Sequence, residues 1–347
     1  MPVSELLPRL SQQVDHLCLL HGMHSDSAEH IAASIQLHCG KQQSSRPSLG
    51  SWVTYGLGSQ NSDLPGFIIL NPSTVGAGSK LFASAFLPGI YAGTAIDRSL
   101  QLSDAKNDRM DRAAQRSLLT RVQARTNRHS LSHSEDGQLE ALINSYELGF
   151  RMQNSLPELL DLSRETKQTQ QNYGVGQAPT DEFARQCLAA RRMSEAGVRF
   201  IELVHKSWDH HSQIQTLLPD RCREVDQPIA ALLADLGERG LLGDTLVLWG
   251  GEFGRTASAH HKGGGSGHNN RGYTMWMAGG GVRPGFAFGQ TDEDGWEAIE
   301  GKVHTHDLHA TLLHLLGLDH TQLTYRYSGR DFRLTDVAGT VVQEVMA

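Results

Sequence analysis

Apolar and polar positions repeat with two periods along the chain, and the switches between them mark out strands and helices. Val3, Leu6, Leu7, Leu10, Val14 and Leu17 recur at helical spacing and predict an amphipathic helix at the start. The run 17–20 predicts a strand, and a helix follows through 31–38 with Asp26 or Ser27 as its cap. A further helix is expected over 49–58 and a strand over 64–70, ending at Asn71-Pro72. Segment 71–100, rich in Gly, Ser and Ala, reads as a surface excursion, and 103–138 is charged, with helix near 111–125. We expect 71–138 to form a cover or insertion on one side of a single domain spanning 1–347.

Later segments carry the clearer pattern. Helix is predicted over 139–160, with Pro157 marking a break near its end, and 173–179 reads as a turn-rich link. A second helix over 180–196 closes at Gly197. Strand 198–204 alternates, helix 230–239 closes at Gly240, and 246–249 is a short apolar strand that stops at Gly250-Gly251. Strand 273–278 and helix 308–316, capped by Asp307 and closed by Gly317, complete the core elements. A strand, a helix and a strand in that order predict a βαβ unit, hence an α/β fold on a mostly parallel sheet.

Composition narrows the function classes. A net charge of -7 gives no nucleic-acid footprint, and no apolar run reaches the roughly 18–20 residues of a membrane span. The first residues lack the basic start and apolar core of an export signal, so the chain as it stands reads as cytoplasmic. Its four cysteines, Cys18, Cys39, Cys187 and Cys222, are scattered and predict buried thiols. Eighteen histidines are many for this length, and they cluster where strands end.

Three groups of acid and imidazole recur after predicted strands: Asp26, Ser27 and His30; Asp209, His210 and His211; and Glu252 with His268. His260 and His261 share the loop with His268. Strand ends are where open α/β sheets place ligand chemistry. Carboxylate and neutral imidazole together suit zinc, manganese or iron, and the oxygen donors also admit magnesium or calcium. A divalent ion there would suit hydrolysis of a phosphate or sulfate ester. Ser27, at a helix start, is a candidate nucleophile as well as a simple cap. Arg255 is a candidate anion clamp, because a guanidinium matches anion oxygens in pairs, or else a structural ion-pair partner. His309 and His314 read as residues on a helix's polar face.

The stretches RPSLGSWVTYGLGS, SYELGFRMQ, RQCLAARRMSEAGVRFIE, WDHH, TLVLWGGEFGRT, HNNRGYTMWMAGGGV, VHTHDLHATLLHLLGLDH and YRYSGRDFRLTD resemble the domain-of-unknown-function family 1501. That family sits in the alkaline-phosphatase and sulfatase-like superfamily, and the resemblance covers essentially the whole chain. It implies a three-layer α/β/α, alkaline-phosphatase-like fold around a mostly parallel sheet. It also implies a one- or two-metal site acting on small-molecule or polysaccharide phosphate or sulfate esters. By motif position Asp209, His211, Glu252 and His268 resemble the metal ligands, and Asp26-Ser27-Ala28 resembles the segment that bears the alkaline-phosphatase nucleophile. Family members read Gly-Arg-Asp-His-Asn where this chain reads Gly265-Ser266-Gly267-His268-Asn269, so a charged pair beside His268 is missing. The resemblance further implies an export signal, a strand and a loop bearing an early aspartate ahead of the first residue. Without them the expectation divides between a metallohydrolase and an inactive sulfatase-like scaffold or binding protein with an incomplete metal site.

Overall fold

A computed structural model of the chain describes residues 1, 3–42, 46–72, 76–101, 110–130, 137–256 and 264–347, with side chains of 125–130, 137–142 and 154 excepted. His260 and His261 lie outside the described residues. The early elements are β1 (Leu17–His24), α1 (His30–Cys39), α2 (Leu49–Leu57), β2 (Phe67–Leu70), β3 (Thr94–Ile96), α3 (Arg112–Ser130) and α4 (Gly137–Leu160). Then come α5 (Lys167–Tyr173), α6 (Asp181–Glu195), β4 (Phe200–Leu203), α7 (Ile214–Glu238), β5 (Val247–Trp249), β6 (Gly254–Arg255) and β7 (His268–Asn269). The chain continues through β8 (Tyr273–Ala278), β9 (Phe286–Phe288), β10 (Gln290–Thr291), β11 (Ala298–Glu300), β12 (Val303–His304) and α8 (Thr305–Leu315), and ends in the hairpin β13 (Tyr325–Tyr327) and β14 (Arg330–Phe332).

The fold is α/β, with mixed sheets. β3, β2 and β4 form a parallel three-stranded sheet. A five-stranded sheet runs β12-β1-β8-β5, with β9 also on β1. Its central strand β8 is antiparallel to both β1 and β5, which breaks the mostly parallel pattern expected from the sequence. The cause is local: β6 and β7 pair as an antiparallel hairpin directly after β5, and this reversal brings β8 back beside it. The expected βαβ unit is likewise divided, since β4 and β5 pair in different sheets. The excursion at 71–100 returns to the core, because Thr94–Ile96 pairs with β2.

Alternation along β1 and β8 places side chains on two faces. Leu17, Leu19, Trp276 and Ala278 pack with α6 and α7 residues such as Cys187, Leu188, Val225 and Leu233. Cys18, Leu20, Met275 and Met277 pack on the other face with Leu308 and Leu312 of α8. Each such fully buried Leu contributes about 1.5–3 kcal/mol, so both faces of this sheet are bound into the core. All four cysteines are free and buried.

Two helices differ from the sequence expectation. The helix predicted through Val3–Leu17 is instead a turn and a 3-10 segment, Leu10–His16. Pro8 disfavours helix before it, and the buried Asp226 carboxylate of α7 captures the N–H groups of Arg9 and Leu10 at 2.8–3.2 Å. α7 begins at Ile214, well before the predicted start, with Pro219 and Pro228 inside it. Arg191 of α6, 1% exposed, binds Glu165 and Asp235 at 2.8 and 3.0 Å and so ties the helices around α7 together.

Candidate metal centre

Three stretches of chain bring charged and imidazole groups together where strands end. Glu29, rather than Asp26 or Ser27, caps α1: its carboxylate accepts the N–H groups of Ile31 and Ala32 at 3.0 and 2.8 Å. Its successor His30 is therefore the first helical residue. The preceding turn is fixed by the buried Gln36, whose side chain accepts the Asp26 N–H at 3.2 Å and donates to the Asp26 carboxylate.

Asp209 and His211 lie on the loop that follows β4. Ser207 and Gln213 both adopt left-handed backbone there (φ 71° and 52°), a conformation costing about 1 kcal/mol or more for a non-glycine residue. Hydrogen bonds hold the loop in that shape. Trp208 Nε1–H donates to His205 Nδ1 at 2.9 Å, and His205 Nε2–H meets Glu224 of α7 at 3.0 Å. Burial, with the Arg221 charge adding to it, pushes the His205 ring down to about 4, so it stays neutral and can accept from Trp208. On the other side the Ser266 N–H donates to the His210 carbonyl at 3.0 Å. Gly265 approaches so closely that a Cβ there would fall 2.0 Å from the His211 carbonyl carbon.

The remaining groups come from the segment after β5. Glu252 follows the strand, and the β6–β7 ladder sets Arg255 opposite His268. Phe253 stacks on His268 (centroids 4.5 Å, 29°) and lies 4.9 Å from the His30 ring, walling one side.

His30 Nδ1–H donates to Glu252 Oε1 at 2.6 Å, and His268 Nδ1–H donates to the Ala28 carbonyl at 2.6 Å. Each ring therefore turns its Nε2 toward Asp209, and that nitrogen offers a lone pair wherever a metal ion, rather than a ring proton, lies between them. His30 Nε2 then faces Asp209 Oδ2 at 3.3 Å, and His268 Nε2 faces Asp209 Oδ1 at 3.3 Å. His211 Nε2 lies 2.9 Å from Asp209 Oδ1 and 3.1 Å from His268 Nε2. Donors bound to one tetrahedral ion at about 2.0–2.1 Å stand about 3.3 Å apart. His30, Asp209 and His268 each offer a ligand atom within 4.8 Å of the others, the grouping a shared ion requires.

Asp209 is the charged hub. Desolvation opposes its ionisation, but the Arg255 hydrogen bond and charge, helped by His268 and His30, outweigh it and hold the carboxyl down at about 2. Arg255 reaches Asp209 through Nη2, while its Nη1 is buried without a hydrogen-bond partner. Burial, then the Arg255 and Arg221 charges, lower the neighbouring His210, with Asp209 opposing.

Of the residues expected from sequence, Asp209, His211, His268 and Arg255 meet directly, and Glu252 joins them through His30. Ser27 lies on the adjoining turn, where its hydroxyl accepts the Glu29 N–H at 3.1 Å. His30 was visible only as part of the first acid–imidazole group, and its placement depends on the Glu29 cap.

Fold and site together define an α/β protein with a carboxylate–imidazole centre at strand ends. The sequence profile described as "Protein of unknown function (DUF1501)" matches residues 1–346, and the chain belongs to that family. No curated protein matches it. Among solved structures it is similar to the phosphonate monoester hydrolase SpPMH from Silicibacter pomeroyi, at 10% identity and a TM-score of 0.37, over 97% of this chain and 73% of that one. A likeness so remote carries no functional argument. No helix among the described residues is long and apolar enough to cross a membrane.

Proposed function

We propose that this chain is a metal-dependent hydrolase of phosphate or sulfate esters, on an alkaline-phosphatase-like domain spanning 1–347 with 71–138 as its cover. One observation carries the reading: His30 and His268 commit Nδ1 to fixed acceptors and turn their Nε2 atoms on the Asp209 carboxylate, so that three donor atoms converge on one point. A metal ion held between them would displace the ring protons that otherwise bridge Nε2 to the carboxylate. Three imidazoles and one carboxylate suit zinc, manganese or iron better than calcium, which prefers oxygen.

His30, Asp209 and His268 are the ligands in this reading, with His211 completing the set. Glu252 orients His30, as carboxylates commonly orient metal-bound imidazoles. A divalent ion held there would polarise an ester oxygen and acidify a bound hydroxyl. Arg255, anchored by Asp209, offers its unpartnered Nη1 to a substrate oxygen. Ser27 is the candidate side-chain nucleophile; the Glu29 N–H on its oxygen leaves the hydroxyl proton free to be removed.

The test is metal content by elemental mass spectrometry on protein purified without chelator, followed by hydrolysis screens with chromogenic phosphate and sulfate esters. Near-stoichiometric metal, lost in Asp209→Ala and His268→Ala, is expected together with ester turnover. A folded, metal-free chain that cannot be loaded would overturn the reading. Metal binding without turnover of any ester would favour the binding-protein alternative. Activity that survives Ser27→Ala would remove Ser27 as nucleophile.

A further inference from the structure

α1 carries a second imidazole on the same line as His30. His30, Ser34 and His38 are spaced four residues apart and share one side of the helix. His30 meets the Glu252 carboxylate after β5, and His38 meets Glu202 on β4. The two histidines therefore hold α1 both to β4 and to the segment after β5.

His38 is charged by geometry alone. Its Nδ1 lies 2.7 Å from the Ser34 carbonyl and its Nε2 lies 3.0 Å from Glu202 Oε1. Both partners are acceptors only, so both ring nitrogens must donate and the ring must hold two protons. Desolvation works against that charge, but Glu202 and the Ser34 carbonyl, with Glu252 behind them, raise His38 to about 9. The other titratable groups facing the pair are the Cys39 thiol, which feels Glu202, and His309 of α8, which feels His38.

α1 needs such a hold. It buries only Ala33, Ile35, Gln36 and Cys39, and leaves Ile31 46% exposed, so apolar packing alone fixes it lightly. Its C-terminal carbonyls are held as well: His309 Nε2–H donates to Leu37 and His306 Nε2–H to Gly40, at 2.7 and 2.8 Å. The opposite end of the helix presents His30 to Asp209, and β4, which carries Glu202, leads directly into the Asp209 loop.

We propose that His38 and Glu202 are positioning residues of the metal centre, a partly buried ion pair that clamps α1 to β4 and so sets the distance between His30 and Asp209. The role rests on the metal-centre reading. It acts on the ligand geometry, eight residues from His30 along the helix, and touches no ligand itself.

The experiment uses the full chain, with His38→Gln, Glu202→Gln and His38→Lys, and measures zinc affinity by competition with a chromogenic chelator. Circular dichroism and thermal unfolding check that each variant folds. Both Gln variants are expected to bind zinc about 10- to 100-fold more weakly, the range seen for outer-shell partners, while His38→Lys keeps the cation and stays near wild type. In the wild-type chain at neutral pH, nitrogen NMR is expected to find both His38 ring nitrogens protonated. Gln variants with wild-type affinity, or a singly protonated His38, would overturn the positioning role and leave the centre standing. A wild-type chain that takes up no zinc, manganese or iron would overturn the centre, and this role with it. Should both Gln variants fail to fold, the NMR state of His38 and the affinity of His38→Lys decide the matter.

Discussion

Truncating Glu252 separates two roles that the sequence could not tell apart. As a direct ligand, Glu252 would supply one of the bonds to the ion, and its loss would resemble that of Asp209. As the partner of His30 it acts only by holding one tautomer and one ring orientation, through the 2.6 Å hydrogen bond to Nδ1. In that case Glu252→Gln keeps an acceptor oxygen in place and loses only the charge assistance, which accounts for roughly half of such a bond's strength. Affinity should then fall by no more than about tenfold, or about 1.4 kcal/mol. Glu252→Ala frees the ring to rotate and should cost about 10- to 100-fold, or about 1.4–2.8 kcal/mol, with the bound stoichiometry unchanged.

A double-mutant cycle gives the sharper form of the same test. If Glu252 works only through His30, then Glu252→Ala in a His30→Ala background should cost nothing further. Zinc affinity and stoichiometry from chelator competition, measured on both singles and the double, check this directly. Additive losses, or a Glu252→Gln variant as depleted of metal as Asp209→Ala, would refute the orienting role and return Glu252 to the ligand set.

Three further outcomes follow from the packing. Gly265→Ala places a methyl 2.0 Å from the His211 carbonyl carbon, a backbone atom that cannot swing aside, so it should displace His211 and weaken metal binding in the chelator titration. Arg191→Ala removes the cation shared by Glu165 and Asp235, but Arg192 still pairs with the first and Arg239 with the second, so urea unfolding should register a loss short of the ~3–5 kcal/mol that an uncompensated buried charge costs. His309 and His205 are pushed down, chiefly by burial, to about 3 and about 4. Below about 6.5 the unfolded chain takes up protons that these folded rings refuse, so stability rises with pH across that interval and is complete above it. At pH 5 each ring should cost about 2 kcal/mol relative to pH 8, and His309→Gln should flatten its share of the slope in paired urea titrations.

What the sequence made legible is what depends on neighbours in the chain. β1, β4, β5 and β8 were readable because each is a run of apolar residues whose alternation or bulk belongs to the segment itself. The direction of β8 was not, since it depends on a hairpin, Gly254–Arg255 against His268–Asn269, whose two strands are far apart in the chain. The sequence pattern predicts helix only over 230–239, yet α7 starts at Ile214, continues through Pro219 and Pro228 and packs Val225, Ile229 and Leu233 into the core. The N-terminal helix was read long because its apolar spacing is genuine, while Asp226, the residue that captures its amides, lies far along the chain.

The same division runs through the site. The donor types of Asp209, His211, Glu252 and His268 stood out locally, each just past a strand or beside one. Their roles did not, because a role here is set by which nitrogen of an imidazole is already occupied. His268 turns its Nε2 toward Asp209 because the Ala28 carbonyl engages its Nδ1, and His30 does so because Glu252 engages its own. Both partners are remote in sequence, and Ala28 contributes a backbone atom that no residue pattern can reveal. A sequence therefore suggests which side chains are able to hold a metal, and the hydrogen bonds behind them decide which of those are turned toward a common point.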